Sequence, residues 1–266
     1  MLASWAIPDE IVARAEVPPW SHDPATFAMD DTADPDDPVH ALARELLPPD
    51  GGSVLDVGCG GGRSSLPLGP RARHVTGVDG SRAMLERFAA SAESAGIGHR
   101  EIEGRWPDVA IEAELSGTPV GRFDVVVCHH VLFNVPDIEP FVVALTTVAR
   151  LGVVAVLPRR HPMSAWNDAW KHFWNLDRPV GPTSDDAVAV LNALGIEPEV
   201  IELPRPALSR HADDPVALVA SARRRLCLGS DRDDELREWL AVHPPNFMRE
   251  VVALRWPGGS DLEGPW

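Results

Sequence analysis

Tyrosine is absent from this 266-residue chain, although tryptophan occurs nine times, a bias with no physical account in the sequence itself. Basic residues are scarce. There are 24 Lys plus Arg against 40 Asp plus Glu, a formal charge of −16, so no basic face for nucleic acid or an anionic membrane surface is expected. Apolar runs are no longer than a β-strand, which excludes a bilayer-spanning helix. The first residues, MLASWAIPDE, lack a basic stretch followed by an apolar core, so no secretory signal is expected. Cysteine is limited to Cys59, Cys128 and Cys227, odd in number and widely scattered, which fits a reducing, cytoplasmic setting without disulfides. No C-x-x-C pair occurs, and His129 and His130 are adjacent and so point apart; no metal site is expected. Internal repeats and low-complexity runs are also missing.

What is present is an alternation of strands and helices. Residues 1–37 hold nine carboxylates and a single Arg, and read as an acidic N-terminal arm anchored by Trp5, Ile7, Ile11, Val12, Trp20 and Phe27, able to serve as a lid. Asp37 caps a helix that opens on Pro38 and stops at the Pro48–Gly52 turn. Strands are expected at 53–57, 74–78, 98–102, 123–128, 153–157, 200–203 and 250–256. A helix is expected from about Arg63 to Gly69, one capped by Ser81, one capped by Asp137 and stopped by Gly152, and one from Thr183 or Ser184 to Gly195. Helices at 215–228 and 231–241 fall in an insertion over about 205–248. Residues 38–266 are thus expected to form one α/β domain with a mostly parallel sheet.

The first strand runs straight into Gly58-Cys59-Gly60-Gly61-Gly62. Glycines at 58, 60 and 62 let the backbone turn tightly and approach a ligand. Asp79 lies 21 residues beyond Gly58, at the tip of the second strand, where a carboxylate can accept both hydroxyls of a ribose. Strand, glycine turn, helix, strand and acid, in that order, point to a nucleoside-containing cofactor.

The segment Val54-Leu55-Asp56-Val57-Gly58-Cys59-Gly60-Gly61-Gly62 resembles the first motif of class I S-adenosylmethionine-dependent methyltransferases. Val78-Asp79-Gly80-Ser81-x-x-Met84 is similar to that family's second motif, and Phe123–Leu132 to its fourth-strand motif. The resemblance implies a Rossmann-like, doubly wound seven-stranded sheet, antiparallel only in its last strand. It also implies S-adenosyl-L-methionine as cofactor. Asp56 would hold the methionine amino group, directly or through water, with the Gly58–Gly62 backbone (Gly58, Cys59, Gly60, Gly62) beneath it. Asp79 and Gly80 would meet the ribose, and Ser81 and Met84 would lie near ribose and adenine. Cys128 and His129 would contact the methionine portion. Where the family often carries an acid for the adenine amino group, this chain has Gly104-Arg105-Trp106, and Trp106 would stack on adenine instead.

Methyl transfer from a sulfonium needs placement more than acid–base help, since the leaving group is good. If the acceptor arrives protonated, the candidate bases are His129, His130 and His161. Trp166, Trp170, Phe173 and Trp174 recur at helical spacing and either wall an acceptor pocket or, as such stripes usually do, pack as core against the N-terminal arm. The expected activity is methylation of a small-molecule acceptor, with the oligomeric state unread. Two alternatives share the glycine turn. An NAD(P)-dependent oxidoreductase is disfavoured because Asp56 would repel a pyrophosphate. A non-catalytic S-adenosylmethionine-binding regulatory protein would carry the same motifs.

Overall fold

The computed structural model describes residues 5–19, 37–204, 214–245 and 250–259. Seven strands form one sheet: β1 (Gly52–Val57), β2 (Ala72–Asp79), β3 (Gly98–Glu103), β4 (Phe123–His129), β5 (Ala149–Pro158), β6 (Glu199–Leu203) and β7 (Val251–Pro257), in the order β3-β2-β1-β4-β5-β7-β6. β1 is parallel to both β2 and β4, and β4 to β5. The last strand reverses. Arg159 donates its amide to Glu250 and Gly258 donates its amide to Leu151, a pairing in which one number falls as the other rises. The chain order therefore switches between β1 and β4, the place where an open α/β sheet leaves a crevice at the carboxyl ends of its strands.

The helices follow from local chemistry. In α2 (Pro38–Leu46) the Asp37 carboxylate accepts from Val39 N–H at 2.9 Å and Pro38 occupies the first turn. The helix α3 (Arg82–Ala95) buries Met84, Leu85, Phe88 and Ala92 on one face and ends on left-handed Gly96. The other helices are a one-turn α1 (Asp9–Val12) before α2 and, after α3, α4 (Asp108–Leu115), α5 (Ile138–Val148), α6 (Asn167–Trp174), α7 (Ser184–Ala193), α8 (Pro215–Arg225) and α9 (Asp233–Val242). In α8 the Asp214 carboxylate caps the Val216 and Ala217 amides.

Several expectations are corrected. The segment after the glycine turn is a three-residue 3-10 turn, Leu66–Leu68, in place of a helix over 63–69, because Pro67 and Gly69 cannot sustain one. Ser81 makes no side-chain cap to α3; its own amide donates to Asp79 instead. The Asp137 side chain likewise makes no cap bond, and α5 gives way to β5 at Ala149, before Gly152. The sequence reading held no helix at 108–115.

The chain divides into two compact units. The sheet unit comprises Asp23–Leu157, Ser184–Leu203 and Val252–Trp266. Its core joins Leu55, Val57, Val126 and Val153 from the strands to Phe141, Val142 and Leu145 of α5 and Leu191 of α7. Trp256 on β7 is buried there with its indole N–H donated to Thr146 Oγ1 at 2.9 Å, which satisfies the one polar atom it carries inside.

The helical unit comprises Met1–His22, Pro158–Thr183 and Pro204–Val251. Trp166, Trp170 and Phe173 are buried in its core with Ile7, Ile11, Val219, Leu226, Leu236 and Leu240. The aromatic stripe is core, as its spacing indicated. Trp174 donates its indole N–H to Leu226 O at 2.6 Å. The Arg178 guanidinium stands over Trp5 and Trp170, 5.4 and 5.2 Å from the ring centroids, and donates to the Ala6 carbonyl. Cation–π contact thus ties the N-terminal segment to this unit. The expected anchors Trp20 and Phe27 lie outside the described residues, as do residues 205–213 and 246–249 of the expected insertion.

Candidate cofactor site

Parallel register brings the motif residues to one edge of the sheet. Val57 is level with Val78, Asp56 with Val127, and Asp79 with Glu103, so the tips of β3, β2, β1 and β4 stand side by side. Gly58, Gly60 and Gly62 have φ of +74°, +52° and +92°, and Gly62 N–H donates to Cys59 O at 2.9 Å to close the turn. Side chains of the chain itself occupy two of these approaches. A Cβ on Gly58 would lie 2.4 Å from Val131 Cγ2, and one on Gly62 would lie 2.4 Å from Leu66 Cδ1. At Gly80 the space is open, with nothing within 4 Å. The glycines at 58 and 62 are therefore demanded by packing and by φ, and at Gly80 the backbone is bare toward free space.

Asp79 links the two tips. Its Oδ2 accepts from Gly60 N–H at 3.0 Å and its Oδ1 from Ser81 N–H at 2.9 Å. A carboxylate has about four lone-pair sites, so this fixes the group's orientation and leaves capacity for two more donors. Asp56 behaves differently. It is fully buried, its Oδ2 accepts from Ser65 Oγ at 2.6 Å, and its Oδ1 has no partner. Burial pushes its pKa from 3.8 up to about 7, with the Ser65 hydroxyl working against the rise and Asp79 adding to it.

Two further polar atoms are buried without partners at this edge: Trp106 Nε1, just beyond β3, and His129 Nε2, at the tip of β4. Burial holds His129 well below the usual imidazole range, with His130 and His40 reinforcing it, so the ring is neutral at pH 7. A buried unsatisfied N–H or carboxylate oxygen costs about 1–3 kcal/mol. Three of them stand on neighbouring strand ends, where polar contacts from outside the chain would satisfy them. A cation suits the unpaired Asp56 oxygen, and an acceptor atom suits the indole N–H.

The remaining candidates divide. Met84 is buried on the core face of α3, and Trp106 is buried in the sheet core with its indole nitrogen unmatched. Cys59 and Cys128 are buried thiols whose pKa burial pushes up, so neither is a nucleophile. Gly104 has φ +147° and donates its amide to Asp79 O, and Arg105 beside it is exposed. His130 is exposed, with a left-handed φ of +61° and its backbone N–H donated to Val156 O, an unusual conformation for a non-glycine residue and one that concentrates at functional sites. His161 belongs to the helical unit. There its Nδ1 accepts from Met163 N–H at 3.2 Å, so in the neutral ring the proton sits on Nε2 and the residue donates; it is not poised as a base. Ser65 escaped the sequence reading, since nothing in its spacing from Asp56 announces the contact.

The strand order β3-β2-β1-β4-β5-β7-β6 with a reversed last strand matches the class I, Rossmann-like methyltransferase fold. Residues 55–157 match the family model described as a methyltransferase domain, of the kind that takes S-adenosylmethionine as cofactor. The chain is 37% identical over 116 residues to a ubiquinone biosynthesis O-methyltransferase of Psychrobacter cryohalolentis, a match covering 43% of this chain and 44% of that protein. It is 34% identical over 102 residues to the enzyme of that name from Aeromonas salmonicida, covering 38% and 40%. The chain thus spans less than half the length of these curated relatives. Among solved structures, a candidate methyltransferase of Bacillus halodurans superposes with a TM-score of 0.54 at 16% identity, over 84% of this chain and 99% of that one, which speaks to the fold alone. No helix among the described residues is long and apolar enough to cross a membrane.

Proposed function

We propose that the protein is an S-adenosylmethionine-dependent methyltransferase acting on a small-molecule acceptor. The observation that carries this reading is the set of unpaired buried atoms at the strand tips, Asp56 Oδ1, Trp106 Nε1 and His129 Nε2, beside an Asp79 carboxylate already oriented by two backbone amides. When bound there, the cofactor supplies an electrophilic methyl group on a cationic sulfur.

The chain's own residues then have distinct tasks. Asp56 offers its free oxygen to the methionine ammonium, and its Ser65 bond holds the carboxylate in place. Asp79 takes the ribose hydroxyls on its remaining lone pairs. The Trp106 N–H donates to a nitrogen of the base, in place of the stacking that the sequence suggested. His129, neutral and half-buried, contributes a hydrogen bond and is too weak a base at this depressed pKa to lead proton removal. An acceptor that arrives deprotonated, or that loses its proton to water, fits a site without a committed base.

The experiment is to incubate the full chain with S-adenosylmethionine and pools of small-molecule acceptors, and to follow S-adenosylhomocysteine. Accumulation above the acceptor-free blank supports the reading. Binding of the cofactor with no turnover across broad pools supports the regulatory alternative. A thermal shift with NAD and none with S-adenosylhomocysteine supports the oxidoreductase.

A further inference from the structure

The helical unit holds a cavity of about 570 Å³, far from empty of chemistry. That volume lies within the range of about 300–1,000 Å³ typical of small-molecule sites. Its apolar walls are Pro158, Pro162, Pro244 and Pro245 with the indole of Trp239. The Trp239 indole is stacked with His172 at 5.6 Å and with His243 at 4.7 Å. Prolines and an indole make flat, rigid surfaces that suit a planar apolar body.

The charged groups lining the cavity are Arg159, Arg160, Asp168 and Glu250, together with the imidazoles of His161 and His243. Arg159 and Glu250 answer each other: Nε stands 3.7 Å from Oε2, and the Arg159 amide donates to the Glu250 carbonyl at 2.7 Å. His161 has its Nδ1 engaged by Met163, and its ring is stacked on Trp5 at 4.0 Å. His243 has Nδ1 against the Trp239 carbonyl at 3.2 Å, the carbonyl accepting. Lys171, one turn along α6, is taken by Asp177 at 2.8 Å. That leaves one guanidinium, Arg160, and one carboxylate, Asp168, each exposed and each without an ion-pair partner among the described residues.

We propose that this cavity binds a small zwitterion of the amino-acid type, with its carboxylate on Arg160, its ammonium on Asp168 and a planar apolar body between the prolines and Trp239. A guanidinium matches a carboxylate in a two-point fork. The site's formal charges cancel, so a zwitterion leaves neither free group unmatched, whereas a simple anion or cation would. This goes beyond the methyltransferase reading and does not depend on it, since binding is measured with no cofactor present.

The test uses the full chain and three probes of one shape: L-phenylalanine, 3-phenylpropanoate without the amine, and 2-phenylethylamine without the carboxylate. Titration by calorimetry or ligand-observed NMR should rank L-phenylalanine first. Arg160→Gln should weaken L-phenylalanine and 3-phenylpropanoate about tenfold and leave 2-phenylethylamine unchanged. Asp168→Asn should weaken L-phenylalanine and 2-phenylethylamine about tenfold and leave 3-phenylpropanoate unchanged. Both side chains are exposed, so unfolding midpoints should stay at the wild-type value and certify the fold. Equal binding of the three probes, absence of saturable binding, or variants that lose all three together would overturn the proposal. Loss of S-adenosylhomocysteine binding in a separate titration would bear on the cofactor site and leave this result standing.

Discussion

The sheet unit and the helical unit bury their side chains by opposite means. In the sheet unit most of the core comes from strands and helices that alternate along residues 52–157, each central strand delivering a run such as Val125-Val126-Val127, with α7 and β7 joining from farther along the chain. In the helical unit the core is assembled from three stretches far apart in sequence, and its centre is aromatic: Trp166, Trp170 and Phe173, with Arg178 set between Trp170 and Trp5. One unit rests on many interchangeable aliphatic contacts, the other on a few large rings. A single substitution should therefore cost more in the second than in the first.

Trp170→Ala is the sharpest way to break that comparison. The ring is 1% exposed, and truncating a buried aromatic costs about 3–5 kcal/mol. Denaturant unfolding should show a loss of that size, while Val126→Ala in the sheet should lose less; equal losses would remove the contrast. Gly58→Ala comes next. Its φ of +74° and the 2.4 Å approach to Val131 combine backbone strain with overpacking, each about 1–3 kcal/mol, and the unfolding midpoint should fall accordingly.

The buried carboxylate gives a pH-dependent effect. The folded chain holds the Asp56 proton up to about pH 7, whereas the unfolded chain releases it near 3.8. The folded state binds more protons over that interval, so the stability this group contributes is complete below 3.8 and is lost as pH rises through 7. Asp56→Asn should flatten that decline, seen as unfolding midpoints across the interval; an unchanged slope would assign the proton elsewhere. The smallest effect belongs to Gly80→Ala. Open space around its Cβ position should hold the stability change within about 0.5 kcal/mol, so any fall in cofactor affinity reports a ligand lying against residue 80.

The same contrast explains what could be read from the sequence. The central strands β1, β4 and β5 were visible because parallel strands buried on both faces give apolar, β-branched runs, and each of the seven strands lies within a few residues of its expected place. Asp56, the glycine turn and Asp79 were visible because turn, strand tip and acid are spaced by local geometry. The helical unit was not visible as a unit. Its contacts, Arg178 to Trp5 among them, join residues more than a hundred and seventy positions apart and leave no periodic trace. The α4 helix escaped because its apolar and polar residues mix around the axis and only Ala110 is buried. The Ser65 bond to Asp56, and the packing demand behind Gly58 and Gly62, depend on side chains that meet only after folding.

The central claim is that the tips of β1 and β2 grip a sulfonium nucleoside, with Asp79 on its sugar. Calorimetric titration of S-adenosylhomocysteine into the wild-type chain and into Asp79→Asn tests it most directly. Loss of charge-assisted bonds of about 1–3 kcal/mol should weaken the variant about 5- to 150-fold, with NAD giving no heat in either protein. Equal affinity in the two proteins, or heat from NAD alone, would contradict the account.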